Sequence, residues 1–321
     1  MTHHVVHVAN LAAYTPTEVV ELMSRIGARK GMMRPDKIFF SAVSSGCMTS
    51  FGSGASLIAM ASPWLQQNAP GILTMLHALL FPTSTIMIFL TGCEFFTTSS
   101  MTTSIAVYHG RLSLRRMLLY WILCFLGNLA GALFIMAIIF GYGGVFDESP
   151  YREVVISHAQ KKQVDVQFHQ IFLRAIGGNW LVCLAAFLGV QAKDLTSKVV
   201  GMWWPIFAFV VLGLEHVVPN MFFIPMGLFL GTPGLTVQLY IWKGIIPATL
   251  GNVLGGAVFC GAFYYWLYVL NEPDICVDGT YYEYLEAGTL PHASQSTTGL
   301  VGDSGNESAG SSTQNGGNKT G

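Results

Sequence analysis

From Ile38 to Cys93 the chain runs 56 residues without a Lys, Arg, Asp or Glu. A membrane-crossing helix needs roughly 20 mostly apolar residues. That run therefore holds two spans, joined at the polar break Gln66-Gln67-Asn68-Ala69-Pro70-Gly71. Charge-free runs recur at 117–146, 175–192, 199–214, 216–242 and 244–271. Only 10% of the 321 residues are charged and 52% are hydrophobic, against about 25% charged in a soluble domain. These features define a polytopic, all-α integral membrane protein. A net charge of −1 offers no basic field for nucleic acid. Cys47, Cys124, Cys183 and Cys260 fall inside apolar spans, Cys93 abuts one and Cys276 follows the last, so they read as packing residues rather than a disulfide framework. Residues 1–36 are polar and mixed, without the apolar core of a signal peptide.

Six spans are expected, at about 37–60, 72–108, 114–140, 169–190, 199–229 and 240–270, with the second and fifth interrupted. Arg25, Arg29, Lys30, Arg34 and Lys37 precede the first, and Arg111, Arg115, Arg116, Lys193 and Lys198 follow the second and fourth. The opposite loops carry only Arg152, Lys161 and Lys162, so the positive-inside rule puts both termini in the cytoplasm. The chain is expected to divide into a cytoplasmic segment 1–36, a six-helix transmembrane domain 37–270 and a cytoplasmic tail 271–321. From about 287 that tail is rich in Ser, Thr, Gly and Asn and reads as disordered. The glycosylation patterns at Asn306 and Asn318 read as chance in such a tail, and His3, His4 and His7 match no metal spacing. No metal or cofactor is expected.

Ile38-Phe39-Phe40-Ser41-Ala42-Val43 parallels Ile171-Phe172-Leu173-Arg174-Ala175-Ile176. Leu90-Thr91-Gly92-Cys93-Glu94 loosely parallels Leu212-Gly213-Leu214-Glu215, and Leu126-Gly127-Asn128-Leu129-Ala130-Gly131 parallels Leu250-Gly251-Asn252-Val253-Leu254-Gly255. Each copy holds three spans, and an odd number inverts the second copy in the membrane. Inverted repeats with discontinuous helices build transporters with a site near the midplane. The interruptions carry Glu94, Glu215 and His216, and a lone charge at that depth costs at least ~2.5–3.5 kcal/mol. The glutamates are expected to brace the breaks by accepting backbone N–H bonds. His216 is the group suited to proton exchange. Gly127, Gly131, Gly251 and Gly255 form small-xxx-small pairs for close helix contact. Lys243 and Arg174 are expected to snorkel, and His77 to be a packed span residue.

The Thr-Gly-x-Glu-x-Phe-Thr pattern at 91–97, Gly213-x-Glu215-His216-x-x-x-Asn220-Met221-Phe222 and Ile246-Pro247-x-x-Leu250-Gly251-Asn252 resemble the formate/nitrite transporter family over about residues 20–270. Phe168-His169-Gln170-Ile171-Phe172 and Phe140-Gly141-Tyr142-Gly143-Gly144 look like its fungal nitrite-transporter branch. The resemblance implies an aquaporin-like protomer of two inverted three-helix repeats, a homopentamer with one pore per protomer, and movement of nitrite or formate. In some branches the cargo is acetate, lactate or hydrosulfide, commonly with a proton. It assigns His216 as the central pore histidine, Thr97 as the hydroxyl of a mobile loop facing it, and Phe96, beside Phe95, as the aromatic constriction of that loop. Phe81 and Phe209 match a cytoplasmic constriction, with Thr85 where a branched aliphatic is usual. Asn179 and Asn252 match anchoring or lining asparagines, with Asn128 and Asn220 in the matched motifs. Lys30 matches a cytoplasmic vestibule lysine. Lys162 stands one place from the register of the outer one, where Gln163 falls.

Cys93, Thr98, Thr85 and Pro219 depart from the family pattern. A hydroxyl at 85 weakens an apolar barrier to ion passage. A plasma-membrane transporter of small monovalent anions is the leading expectation. A non-transporting sensor or structural relative is the alternative. An intramembrane enzyme lacks a supporting motif, and Val218-Pro219-Asn220 is only a partial echo of a water-pore box.

Overall fold

The computed structural model describes residues 13–273 and 275–282. The expectations for His3, His4, His7, Asn306, Asn318 and the tail from 287 lie outside the described residues.

Among the described residues the fold is helical, with isolated bridges at Ala13–Ala192 and Val277–Thr280. We number the helices α1 (Pro16–Gly31), α2 (Pro35–Ala59), α3 (Pro63–Asn68), α4 (Pro70–Leu80), α5 (Pro82–Thr91) and α6 (Phe96–Tyr108). Then come α7 (Leu114–Tyr142), α8 (Tyr151–Ala159), α9 (Phe168–Gln191), α10 (Leu195–Val211), α11 (Val217–Phe229) and α12 (Val237–Tyr268). Among the described residues, four helical stretches are long and apolar enough to cross a membrane: Pro70–Thr91, α7, α9 and α12. The helices α10 and α11 are apolar but shorter. At 25 residues α2 has the length, but its composition is diluted by Ser and Gly.

Prolines punctuate the starts of α1 to α5, where a missing backbone N–H costs nothing. Phe81 stays helical between α4 and α5, so Pro82 stands inside a continuous stretch, Pro70–Thr91. The chain then leaves the helix between Thr91 and Phe96, and again between Val211 and Val217. Gly92 (φ 71°) and Gly213 (φ 63°) supply the left-handed residue at each departure.

The glycine pairs set how closely the long helices approach. A Cβ at Gly127 would lie 2.6 Å from the Phe39 carbonyl oxygen, and one at Gly251 2.4 Å from that of Phe172. At Gly131 and Gly255 it would meet the Val43 and Ile176 oxygens at 2.0 and 2.4 Å. The backbones of α2 and α7, and of α9 and α12, therefore touch at matching places.

One end of the bundle is tied by the N-terminal helix. Tyr14 N–H donates to the Gln191 carbonyl at 2.9 Å. Arg25 holds Glu21 at 2.7 Å and donates to the Thr280 and Ile275 carbonyls. Arg111 also pairs with Glu21 at 2.9 Å and lies over the Tyr282 ring. The Tyr14 hydroxyl donates to Asp278 at 2.5 Å, and this bond, with burial, pushes its pKa up to about 12. At the opposite end Arg152 donates to the Leu230 carbonyl and Lys243 to that of Val164. The Lys243 ammonium thus reaches the end of the neighbouring turn.

Valine at Gly131 or Gly255 is expected to cost about 1–3 kcal/mol through forced separation of the helices. It is read as a lower melting temperature of the purified protein. Gly71→Ala, at a position with nothing within 4 Å, should leave the melt unchanged.

Candidate functional site

The two departures from helix are built from the same parts. Asn128 Oδ1 accepts the Phe96 N–H at 3.1 Å, and its Nδ2 donates to the Ala42 and Glu94 carbonyls at 2.9 and 3.1 Å. Asn252 Oδ1 accepts the Val217 N–H at 2.8 Å, and its Nδ2 donates to the Ala175 and Glu215 carbonyls at 2.8 and 3.1 Å. The Glu94 N–H finds the Ser41 hydroxyl at 3.1 Å, and the Glu215 N–H the Arg174 carbonyl at 3.4 Å. A primary amide suits this task because it offers both donors and acceptors from one rigid plane.

The expectation that Glu94 and Glu215 brace the breaks through backbone N–H groups is corrected here. Asparagines do that work, and both carboxylates face side chains. Glu94 takes Lys30 Nζ at 2.6 Å and the Tyr120 hydroxyl. Glu215 takes Lys162 Nζ at 3.0 Å and Asn220 Nδ2 at 2.8 Å. Both carboxylates are at most 5% exposed, and a buried charge of that kind persists only when paired and hydrogen-bonded. Lys162 thus reaches the site directly. Gln163 is buried beside it, with its amide donating to the Leu239 carbonyl.

Two cavities flank these pairs. One, of about 180 Å³, is lined by Lys30, Thr85, Cys93, Glu94, Phe95 and Thr98 among others. The other, of about 100 Å³, is lined by His77, Phe81, His158, Lys162, Phe209 and His216 among others. Phe95 belongs to the first and His216 to the second, and their rings stack with centres 5.5 Å apart. The two aromatic side chains form the partition. The Phe209 ring meets His216 edge-on at 5.9 Å. His216 is 2% exposed, and neither ring nitrogen has a hydrogen-bond partner among the described residues.

Thr97 is fully buried in the first turn of α6 rather than in a loop, and its hydroxyl also lacks a partner among the described residues. Its carbonyl is held by Asn179 Nδ2 at 3.1 Å, which also reaches the Asn252 carbonyl at 2.6 Å. Asn179 therefore ties the two breaks together.

Two aromatic expectations are corrected. Phe96 turns from the cavities and packs edge-on against Phe125 and Trp121, with ring centres 5.4 and 6.5 Å away. Phe95 takes the position by the cavity because successive side chains at an extended break point to opposite sides. Phe81 and Phe209, centres 5.9 Å apart, belong to the Lys162 cavity and not to the Lys30 cavity walled by α1. The cavity on the α1 side has Thr85, Ile88 and Phe95 in its lining instead. Sequence reasoning missed Tyr120, one aromatic within an apolar run. It also missed Ser41, which the repeat marks as the counterpart of Arg174.

The sequence pattern described as "Formate/nitrite transporter" matches residues 17–266. A probable formate transporter of Methanothermobacter thermautotrophicus is 30% identical over 268 residues, 79% of this chain and 97% of the relative. An uncharacterized transporter of Bacillus subtilis (strain 168) is 41% identical over 196 residues, 61% of this chain and 72% of the relative. A solved structure described as a pentameric formate channel with formate bound superposes with a TM-score of 0.65 at 25% identity. It covers 73% of this chain and 98% of its own.

Replacing Asn128 or Asn252 by Leu strips the Phe96 or Val217 N–H and two carbonyls of their partner. A loss of about 1–3 kcal/mol per unsatisfied buried group is expected. Thermal unfolding of the purified protein checks it, with the exposed Asn68→Leu as the neutral comparison.

Proposed function

The chain belongs to the formate/nitrite transporter family, and from that premise we propose that it carries small monovalent anions, nitrite and formate foremost, across a membrane together with a proton. Acetate, lactate and hydrosulfide are the wider cargo class. Members of the family are transporters and channels, not enzymes. We read residues 37–270 as six membrane-spanning helices in two inverted three-helix repeats, with α4–α5–α6 and α10–α11 as the broken second and fifth. The paired asparagine contacts at the two breaks support that reading. The likeness of 168–172 and 140–144 to the fungal branch favours nitrite as the physiological cargo. The homopentamer follows from the pentameric channel that this chain resembles. The Lys- and Arg-rich end that carries α1 is taken as cytoplasmic, which places both termini there and suits a plasma-membrane protein.

The observation that carries the transport reading is the Phe95–His216 stack between two cavities, one lined by the Lys30–Glu94 pair and the other by Lys162, whose partner is Glu215. An anion drawn to either end meets apolar walls, and desolvation raises the pKa of its conjugate acid. Protonation therefore becomes easier as the anion advances, and the near-neutral acid crosses the partition. His216 and Thr97, whose polar atoms have no partner among the described residues, are the groups placed to hydrogen-bond it there. Phe95, Phe81, Phe209 and Thr85 set the apolar cost on the two sides. Glu94, Glu215, Asn128, Asn179, Asn220 and Asn252 hold the geometry.

Proteoliposomes with an acidified exterior should take up labelled formate, with nitrite competing more strongly than acetate or lactate. His216→Phe should lower the rate by more than about tenfold, which corresponds to roughly 1.4 kcal/mol. Thr85→Leu should slow uptake by restoring an apolar barrier. Folded protein that moves none of these anions would favour the sensor or structural alternative.

A further inference from the structure

The Lys162 cavity contains two imidazoles without a role in the transport reading. His77 on α4 and His158 on α8 stand with ring centres 5.6 Å apart. Phe223 flanks both, at 4.7 Å from His158 and 6.5 Å from His77. A further hollow of about 200 Å³, lined by Met60, Gln66, Thr74, Ser157 and Lys161 among others, shares His158 with the Lys162 cavity. His158 is therefore part of the wall between that outer hollow and the cavity reaching His216.

The hydrogen-bond chemistry of the pair is asymmetric. His77 is 8% exposed, and its Nδ1 lies 3.0 Å from the Ser56 carbonyl oxygen. A carbonyl only accepts, so Nδ1 carries the hydrogen, and the neutral ring presents Nε2 as a lone pair. His158 Nε2 is buried and has no partner among the described residues. Burial, then His77, Lys162 and Lys161, hold the His158 imidazole well below its ordinary pKa, so it is neutral. The charged or titratable groups around the pair are Lys161 and Lys162 after α8, and Glu215 and His216 at the second break. Lys162 is already taken by Glu215 at 3.0 Å.

A bare anion at this place would face the His77 lone pair and the Phe81 and Phe223 rings. An undissociated oxyacid fits better. Its O–H donates to His77 Nε2, and its other oxygen accepts from a hydrogen on His158 Nε2. One neutral ring that accepts and one that donates can serve the two oxygens of a single O–X–O group. We propose that His77 and His158 form an entrance subsite that takes a small oxyacid in its undissociated form, ahead of the Phe81–Phe209 pair. This inference rests on the transport reading and names the form of cargo that one end of the path admits.

The test uses the purified full chain with formate as probe, read by saturation-transfer NMR for binding and by equilibrium exchange in proteoliposomes for transport. His158→Phe should weaken formate binding and raise the half-saturation of exchange about fivefold to tenfold, the equivalent of one net hydrogen bond. The maximal rate should stay within about twofold. His158→Gln, whose amide can donate, should recover most of the affinity. His216→Phe should keep binding at the entrance while exchange falls, which separates the subsite from the transport reading. Nitrate, a planar oxyanion whose acid is too strong to keep its proton, should not displace formate. Formate binding unchanged in His158→Phe, no formate signal in the native chain, equal competition by nitrate, or a loss confined to maximal rate would each overturn the proposal.

Discussion

Backbone polar groups that leave a helix inside an apolar bundle have no water to turn to, and each must find a partner within the protein. The whole centre of this molecule depends on two asparagine amides that meet that demand. Asn128 and Asn252 each hold one N–H and two carbonyls. They can do so only because glycines on the same helices let backbones touch. A Cβ at Gly127 or Gly251 would push away the helix that offers the Ala42 or Ala175 carbonyl. Helix packing and break geometry are thus one structural fact viewed at two scales. The asparagines also free the nearby glutamates, which turn their carboxylates to lysines.

The electrostatic arrangement follows from that release. A carboxylate that capped a helix start would add a lone charge beside the partition. Instead each charge is balanced by an ammonium from outside its own helix pair, Lys30 from α1 and Lys162 from the turn after α8. The site is left with the unpartnered hydrogen-bonding groups of His216 and Thr97 among the described residues, and aromatic walls beside them. Such a region resists a bare ion but gives a neutral molecule hydrogen bonds.

Charge-free runs of 56 and fewer residues revealed the helical class, because the cost of burying charge in lipid is written directly in composition. The internal likeness between 90–94 and 212–215 pointed to the two breaks, and the Ser41–Arg174 correspondence, within the likeness between 38–43 and 171–176, reappears as the partners of Glu94 and Glu215. Side-chain direction was not legible. Phe95 and Phe96 are the same residue type in adjacent places, and only the extended backbone at the break decides which meets the cavity. Nor could a sequence say that Phe81 and Phe209 meet at the Lys162 end. Their pairing joins residues of α10 and of the α4–α5 junction, which no local pattern brings together. The His77–His158 contact joins two helices more than 70 residues apart, and neither histidine belongs to a recognisable spacing.

The ties around Arg25 carry a consequence for handling the protein. Helix α1 contributes Met23, Ile26, Arg29 and Lys30 to a cavity wall, while its outer face is fastened to residues 275–282 through Arg25, Tyr14 and, by way of Glu21, Arg111. The beginning and end of the described chain are thus one mechanical unit. A load, label or cut applied just after α12 is transmitted to a helix lining the interior, although the two sites are some 250 positions apart in sequence. Attachments that leave the Lys30 cavity undisturbed belong on the exposed residues Gln66 and Asn68 of α3, at the other end of the bundle.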